Sequence, residues 1–355
     1  MKKNIRILAP AFGIAMLTAL CFSGCGNKYK EIYEQAEKDL DQGMYDFALD
    51  EFRQTIEGNY NVPQSYRGAG VASMKRGEYE TAIEYFDYAL GYEKLGTSLE
   101  KDLLDYRATA NLKLGNASEA MSDCQKLLSL GSLNQDEYFL LGKVALELDS
   151  YDEAADYFQK SFAENTDHDT AIEIYQAYVE KGMEADGTAY LEASLNTSPK
   201  TAEDYYDRGR VYYYMDDYNQ AQQELITAVN QGSTEAMLLL GSVYLARNDT
   251  SNARAMYLQY VSEEGNAAKG YNGLAMCDIE DGNYSSALQN IQMGLENAST
   301  SEMQDLMFNE IVVYEKQLDF TTALQKTESY LNLFPADEAA KKELTFLQSR
   351  TGIIQ

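Results

Sequence analysis

Residues 138–158 read YFLLGKVALELDSYDEAADYF, and this stretch contains the main elements of a unit that recurs along the chain. Two small residues, Gly142 and Ala154, lie twelve positions apart, and the bulky Phe158 follows one helical turn after Ala154. Asp149, a residue type common in turns, lies between the two small residues. Apolar residues at helical spacing on both sides of a turn former predict two helices joined by a tight turn.

The same unit occurs nine times at a spacing of about 34 residues, which is typical of a helical-hairpin repeat. The anchors, small residues equivalent to Ala154, are Ala48, Ala82, Ala120, Ala154, Gly187, Ala221, Ala253, Ala287 and Ala323. Gly or Ala also precedes the anchor by twelve residues, except at Tyr175 and Ile311. A bulky residue follows by four, except at Thr327, and a turn former precedes by five, except at Leu318. Agreement at several independent offsets indicates a true repeat.

Elementary packing explains why this pattern specifies a solenoid. Small residues where two helices cross let their axes approach to about 8 Å instead of about 10 Å. The bulky residue one turn beyond the anchor then fills the groove between the helices. A hairpin of this length cannot bury its apolar face alone, so the next copy must cover it, and stacking produces one continuous core. The sequence therefore predicts an all-α solenoid.

The repeat resembles the tetratricopeptide repeat, most clearly at Tyr138, Leu141, Gly142, Tyr151, Ala154 and Phe158. The resemblance extends over about residues 29–337. It implies a right-handed superhelical solenoid of about nine hairpins, which start near residues 29, 63, 101, 135, 168, 202, 234, 268 and 304. Residues 338–355 are predicted to form a capping helix and tail. We expect looser or differently angled joints at three places: repeat five, with Tyr175 at the small site and Gly187 at the anchor, repeat nine, with Ile311 at the small site, and residues 91–101, where four extra residues lengthen the connection.

The N-terminus has the features of a secretion signal. Three basic residues precede an uncharged run over residues 7–20, and small residues lead up to Cys25. The segment resembles a bacterial lipoprotein signal peptide, which implies removal of residues 1–24 and acylation of Cys25, with residues 25–28 as a short tether. Two or more acyl chains hold a protein stably on a bilayer. An uncleaved membrane anchor and ordinary secretion are the alternatives.

Charge and cysteine content narrow the range of partners and locations. The chain has 29 basic and 57 acidic residues, and the resulting field repels nucleic acid and anionic headgroups. Cys124 and Cys277 lie five repeats apart, too far for a disulfide, and we expect both to be unpaired and buried. We expect a lipid-anchored location on the extracytoplasmic face of the cell membrane, at the outer surface of a single-membrane bacterium.

Motifs for catalysis are absent from the sequence. The single histidine, His168, is predicted to be a solvated residue at a helix end, and no nucleophile, zinc or phosphate-loop motif accompanies it. We therefore predict a non-enzymatic protein without a cofactor or metal. A carboxylate pair formed by the fold is the enzymatic alternative, because the chain has many acidic residues.

The resemblance also implies a binding surface. In tetratricopeptide-repeat proteins the first helix of each hairpin lines the concave face. Transferred to this sequence, the surface comprises Arg67, Phe139, Lys143, Tyr206, Arg210, Tyr213, Leu238, Lys269 and Asn272, together with Lys75, Ile172, Gln176, Ser242 and Met276. Tyr and Arg are enriched in interface hot spots. The predicted function is a membrane-anchored scaffold that binds a protein or peptide, and the alternative is a receptor for envelope glycan or peptidoglycan fragments.

Overall fold

A computed structural model of the protein describes residues 25–164, 166–264, 267–296 and 298–352, and within these ranges all regular secondary structure is helical. The nineteen helices found there are α1 Cys25–Asp41, α2 Tyr45–Glu57, α3 Val62–Lys75, α4 Tyr79–Leu90, α5 Thr97–Lys113, α6 Ala117–Ser129, α7 Gln135–Glu147, α8 Tyr151–Glu164, α9 His168–Glu180, α10 Glu184–Ser194, α11 Ala202–Tyr214, α12 Tyr218–Asn230, α13 Glu235–Ala246, α14 Thr250–Glu263, α15 Ala268–Glu280, α16 Tyr284–Leu295, α17 Thr300–Lys316, α18 Phe320–Leu333 and α19 Glu338–Thr351. None of the described helices is long and apolar enough to cross a membrane. The predicted signal segment, residues 1–24, lies outside the described residues.

The helices pair into nine hairpins, from α1 with α2 to α17 with α18, and α19 packs against the last of them. All nine anchor positions are buried. A Cβ atom added to Gly142 would lie 2.5 Å from the Phe158 ring, and one added to Gly241 would lie 2.5 Å from the Tyr257 ring. The bulky residue of the second helix therefore occupies the space that the small residue of the first helix leaves open, and the predicted all-α solenoid is confirmed.

Every hairpin turns through a residue in the left-handed region of backbone conformation, five residues before its anchor. The φ angles at these nine positions lie between 55° and 77°, at Gly43, Gly77, Gly115, Asp149, Gly182, Asp216, Asn248, Gly282 and Leu318. Eight of them are residue types that tolerate this conformation, whereas leucine is strained there. Leu318 therefore differs from the other eight turn residues in residue type but has the same backbone conformation.

Two irregularities in the sequence have simple structural outcomes. Helix α5 begins at Thr97 and has 17 residues, four more than α7, so the extra residues form an additional turn at its N-terminus. At repeat five, a Cβ atom on Gly187 would lie 2.8 Å from the Cα atom of Tyr175. The small residue on the second helix thus permits the close approach that a small residue on the first helix permits elsewhere. Between hairpins, however, α8 packs sparsely on α9 and α10 packs sparsely on α11, so the joints on both sides of repeat five are looser than the others, as expected.

Cys124 and Cys277 are buried and unpaired, as predicted. Burial raises the pKa of the Cys124 thiol to about 12 and that of the Cys277 thiol to about 11. At neutral pH both are therefore thiols that fill space in the core, because a reactive cysteine requires the thiolate form.

The chain curves far enough for its last hairpin to meet its first two. A Cβ atom on Gly77, in the turn between α3 and α4, would lie 2.6 Å from the Cβ atom of Ala336, in the loop between α18 and α19. Beside this contact lies a cavity of about 560 Å³, which residues 43–47 line on one side and residues 332–337 on the other. The path of the solenoid therefore brings the end of its last hairpin back to its first two.

The strained turn at Leu318 predicts a stabilising substitution. Its side chain is 73% exposed, so its removal costs little packing. Leu318→Asn is expected to stabilise the protein by about 0.5–1 kcal/mol, because asparagine tolerates positive φ better than leucine does. Leu148→Asn is the control, since Leu148 is 36% exposed but has φ −91°. Chemical denaturation monitored by circular dichroism would contradict the prediction if both variants lost stability equally.

Candidate partner-binding surface

The first helices of successive hairpins lie side by side and share solvent-filled grooves on one surface, here called the A-helix surface. Helices α5 and α7 form a cavity of about 290 Å³. Helices α13, α15 and α17, with one residue from α11, form another of about 320 Å³. The second helices of the hairpins contribute only Tyr257 to these two linings. The repeat architecture thus places equivalent positions of successive helices next to each other.

Six of the nine residues singled out from the sequence line one of these two cavities. Phe139 and Lys143 line the α5–α7 cavity, and Tyr206, Leu238, Lys269 and Asn272 line the α13–α15 cavity. Phe139 and Lys143 lie one turn apart on α7. The other four residues come from α11, α13 and α15, so only the solenoid brings them together. A binding role for these residues stays a prediction.

The α13–α15 cavity has an apolar floor and a charged rim. Leu238, Leu239 and Met276 contribute the apolar side chains, and the Met276 side chain remains 37% exposed. Glu235 and Lys269 are exposed at the rim. An exposed methionine beside leucines can adapt to side chains of different shape. This cavity is therefore suited to an apolar side chain from another molecule.

The predicted arginines connect neighbouring repeats. Arg67 of α3 forms an ion pair with Asp102 of α5, and its guanidinium carbon lies 5.2 Å from the centre of the Tyr106 ring. Arg210 of α11 donates a hydrogen bond to Asp169 of α9 over 2.6 Å. Both side chains are therefore already engaged within the molecule.

Two predicted contact residues, one aromatic and one aliphatic, are less exposed to solvent than predicted. Tyr213 is half-buried and its ring packs edge-on against those of Tyr214 and Tyr218. Ile172 is only 4% exposed and belongs to the core between α9, α10 and α11. Sequence spacing placed Ile172 on the surface because it matched the family offset, but the crossing with the next hairpin covers it. The prediction of Ile172 as a contact residue is wrong.

The structure contains an acidic cluster on α5 and α7 that the sequence motifs did not predict. Burial raises the pKa of Asp105 to about 6, with further contributions from Asp102, Glu137 and Asp136. Neither Asp105 nor Asp136 forms an ion pair with a residue that the structure describes. The sequence does contain a regular spacing that indicates this cluster. Three aspartates, Asp102, Asp136 and Asp169, each precede the anchor of their repeat by eighteen residues.

Two further pairs of acidic groups lie close enough together to raise the pKa of one member. Burial and the neighbouring Asp39 raise the pKa of Glu51 to about 7. At the other end of the solenoid, burial and Glu343 raise the pKa of Glu315 to about 7. One oxygen each of Glu51, Glu315 and Glu343 is shielded from solvent, and none of the three lines the α5–α7 or the α13–α15 cavity.

His168 differs from its prediction as a solvated residue. It begins α9, but its Nε2 atom is buried and burial lowers the pKa of its imidazole. The imidazole is therefore neutral at physiological pH. Among the residues described, no group of three or more His, Cys, Asp or Glu side chains is arranged to hold a metal ion.

Comparisons with known proteins identify the repeat. Family profiles described as "Tetratricopeptide repeat" match residues 33–96, 138–168 and 206–271. Hsp70-Hsp90 organizing protein 1 of Glycine max is 25% identical over 179 residues, which covers 47% of this chain and 29% of that protein. Tetratricopeptide repeat protein 12 of Mus musculus is 36% identical over 102 residues, 29% of this chain and 14% of that protein. Tetratricopeptide repeats are therefore present in this protein, and the matches span less than a third of these curated relatives.

Solved tetratricopeptide-repeat structures are similar to this chain at low sequence identity and low TM-score. A tetratricopeptide repeat protein from Parabacteroides merdae has a TM-score of 0.44 and 18% identity, covering 71% of this chain and 99% of that one. The hetero-tetramer Cut9-Hcn1 has a TM-score of 0.37 and 13% identity, covering 91% of this chain and 77% of the other. Tetratricopeptide-repeat proteins are typically non-enzymatic scaffolds that bind other proteins.

The raised pKa of Asp105 predicts a pH-dependent substitution effect. In the folded protein the pKa of this carboxyl is about 6, whereas the ordinary value for aspartate is 3.8. Its charge therefore destabilises the fold above that range and has no effect below about pH 4. Asp105→Asn is expected to stabilise the protein by about 1–2 kcal/mol at neutral pH, a gain that fades as the pH falls from 6 to 4.

Denaturation at a series of pH values would measure this effect. The control is Asp152→Asn on α8, an exposed position where we expect a change below about 0.5 kcal/mol at every pH. A destabilised Asp105→Asn variant at neutral pH would show that the carboxylate has a stabilising partner and would refute the assignment.

Proposed function

We propose that this protein is a non-enzymatic lipoprotein, anchored through Cys25 to the extracytoplasmic face of a bacterial membrane, whose A-helix surface binds a segment of a partner protein. The observation that carries the binding part is the α13–α15 cavity, in which Leu238, Leu239 and Met276 form an apolar floor open to solvent. Tetratricopeptide repeats, which the chain contains, typically serve as protein-binding scaffolds.

The chemistry of the cavity favours a protein segment over a small polar ligand. Leu238 and Leu239 are half-buried in their own helix, so an entering apolar side chain can complete their burial. Burial of apolar surface contributes about 25 cal/mol per Å² removed from water. Tyr206 at the edge supplies an amphipathic ring of the kind enriched at binding hot spots. A peptide side chain can use both features at once.

Anchoring at Cys25 would keep the solenoid close to the bilayer. Helix α1 begins at Cys25, so hardly any flexible chain separates the proposed acyl groups from the first hairpin. The N-terminal sequence supports the proposal through its basic residues, its uncharged run and the small residues before Cys25. A partner bound on the A-helix surface would then be held near the membrane.

Metabolic labelling tests the anchor. Cells that express the full-length protein with an alkyne-tagged fatty acid are expected to label the wild type and to lose that label in Cys25→Ser. Cys21→Ser is the matched control, because Cys21 lies in the segment that signal cleavage would remove. Equal labelling of Cys25→Ser and wild type would refute lipidation at this residue, and loss of label in Cys21→Ser would move the modified residue to Cys21.

Site-specific photo-cross-linking tests the binding surface. A photoreactive amino acid replaces Met276 on α15 in one strain and Leu258 on α14 in another, both of which are exposed, at 37% and 52%. We expect a discrete protein adduct from position 276 that is absent at position 258, and weaker by about tenfold when Leu238→Glu is also introduced, because a buried charge opposes apolar contact.

The other outcomes of this experiment are equally informative. An adduct from position 258 alone would move the interface to the second helices of the hairpins. Absence of a protein adduct at both positions, together with stabilisation of the purified protein by soluble peptidoglycan fragments, would refute the scaffold and favour the glycan receptor.

A further inference from the structure

The α5–α7 cavity continues into a larger one, and the two share Asp105 and Asp136 in their linings. Their volumes are about 1160 Å³ and about 290 Å³. Leu112, Phe139 and Leu140 supply apolar surface to the smaller cavity. We call the joined cavities the acidic groove. Its volume is large enough to hold several residues of a peptide.

Negative charge exceeds positive charge along this groove. Its carboxylates are Asp102, Asp105, Asp136, Glu137, Glu147 and Glu180, and its lysines are Lys101, Lys113 and Lys143. Lys101 is already paired with Glu137 over 3.2 Å, and the ammonium of Lys143 lies 5.9 Å from the centre of the Phe139 ring. Asp102 is paired with Arg67 and Glu147 with Lys181, two cations from outside the lining. Within the described part of the chain, Asp105, Asp136 and Glu180 are the lining carboxylates that form no ion pair.

This unbalanced charge determines the sign of a favoured ligand. Like charges near one another in a partly buried site repel, and a cation placed between them relieves the repulsion. The same field disfavours an acidic peptide, a nucleic acid or an anionic headgroup. The apolar side chains of Leu112 and Phe139 add a requirement for apolar contact that a bare inorganic cation cannot meet.

The spacing of the helices limits the shape of the ligand. Asp105 lies on α5, Asp136 on α7 and Glu173 on α9. The axes of neighbouring packed helices are about 8–10 Å apart. In an extended polyproline-type chain every third residue lies on the same side, at intervals of about 9 Å. Burial and the nearby Asp136 and Asp169 also raise the pKa of Glu173, so the negative region continues onto α9.

We propose that the acidic groove binds an extended segment of a basic protein, with Lys or Arg at every third position and an apolar residue between them. This inference rests on the proposed function and adds the chemical class of the partner segment. Lysines spaced in this way would reach successive carboxylates of α5, α7 and α9, while the apolar residue contacts Phe139 and Leu140.

Fluorescence anisotropy with synthetic peptides tests the proposal on the full-length protein in a neutral detergent. The first peptide, about twelve residues long, has lysine at every third position and leucine near its centre, to match the helix spacing. The second has the same composition with its lysines contiguous, and the third has glutamate in place of lysine. We expect the first to bind at least about tenfold more tightly than the others, a difference of about 1.4 kcal/mol.

Charge variants distinguish binding in the acidic groove from general attraction by the net negative charge of the protein. Asp105→Asn/Asp136→Asn is expected to weaken binding of the first peptide by about tenfold, because two contacts to ligand cations are lost. Asp152→Asn/Glu153→Gln on α8 makes the same change in net charge at exposed positions outside the groove, and we expect less than about twofold. Equal effects of the two double variants would overturn the proposal.

Other results would overturn it in distinguishable ways. Equal binding of the spaced and contiguous lysine peptides would refute the spacing, and displacement of the peptide by spermine at equal concentration would show that charge alone is recognised. If no peptide binds while position 276 still yields a protein adduct, this inference is wrong and the scaffold stands. If that adduct is also absent, the proposed function fails with it.

Discussion

The structure depends on one close contact, repeated in most of the hairpins, between a small residue on one helix and a bulky residue on its partner. At Gly142 the ring of Phe158 occupies the position that a side chain would need. A larger residue would push the two helices apart, and the displaced helix would also lose its fit to the next hairpin, because stacked repeats share one core. Repeat five shows that the requirement is for total volume, since Gly187 compensates for Tyr175.

Because this contact uses one stripe of each first helix, another stripe remains available at the surface. The side chains there are held by their neighbours across repeats, as Arg210 is by Asp169 and Arg67 by Asp102. Such pairs fix the side chains around the grooves but are partly exposed, so they contribute modestly to stability. The unpaired carboxylates of Asp105 and Asp136 are different, because their repulsion is tolerated at a cost in folding free energy.

The candidate site could be predicted in part. Family offsets placed Tyr206, Leu238, Lys269 and Asn272 on one surface, and all four line the same cavity. The same offsets misplaced Ile172, because a spacing rule carries no information on how closely the following hairpin covers a position. The acidic groove was missed because the raised pKa of Asp105 results from burial and from Asp136 and Glu137 on another helix.

By itself, the sequence determined the all-α class, the nine hairpins, the turn positions and the burial of both cysteines, because these follow from local spacing and from contacts within a hairpin. The positive φ of Leu318 shows how strongly the repeat imposes its backbone even on an unfavourable residue. Only the tertiary structure decided the curvature that brings Ala336 against Gly77 and the grouping of charges across repeats. Curvature is the sum of small rotations between hairpins, and no single position in the sequence encodes that sum.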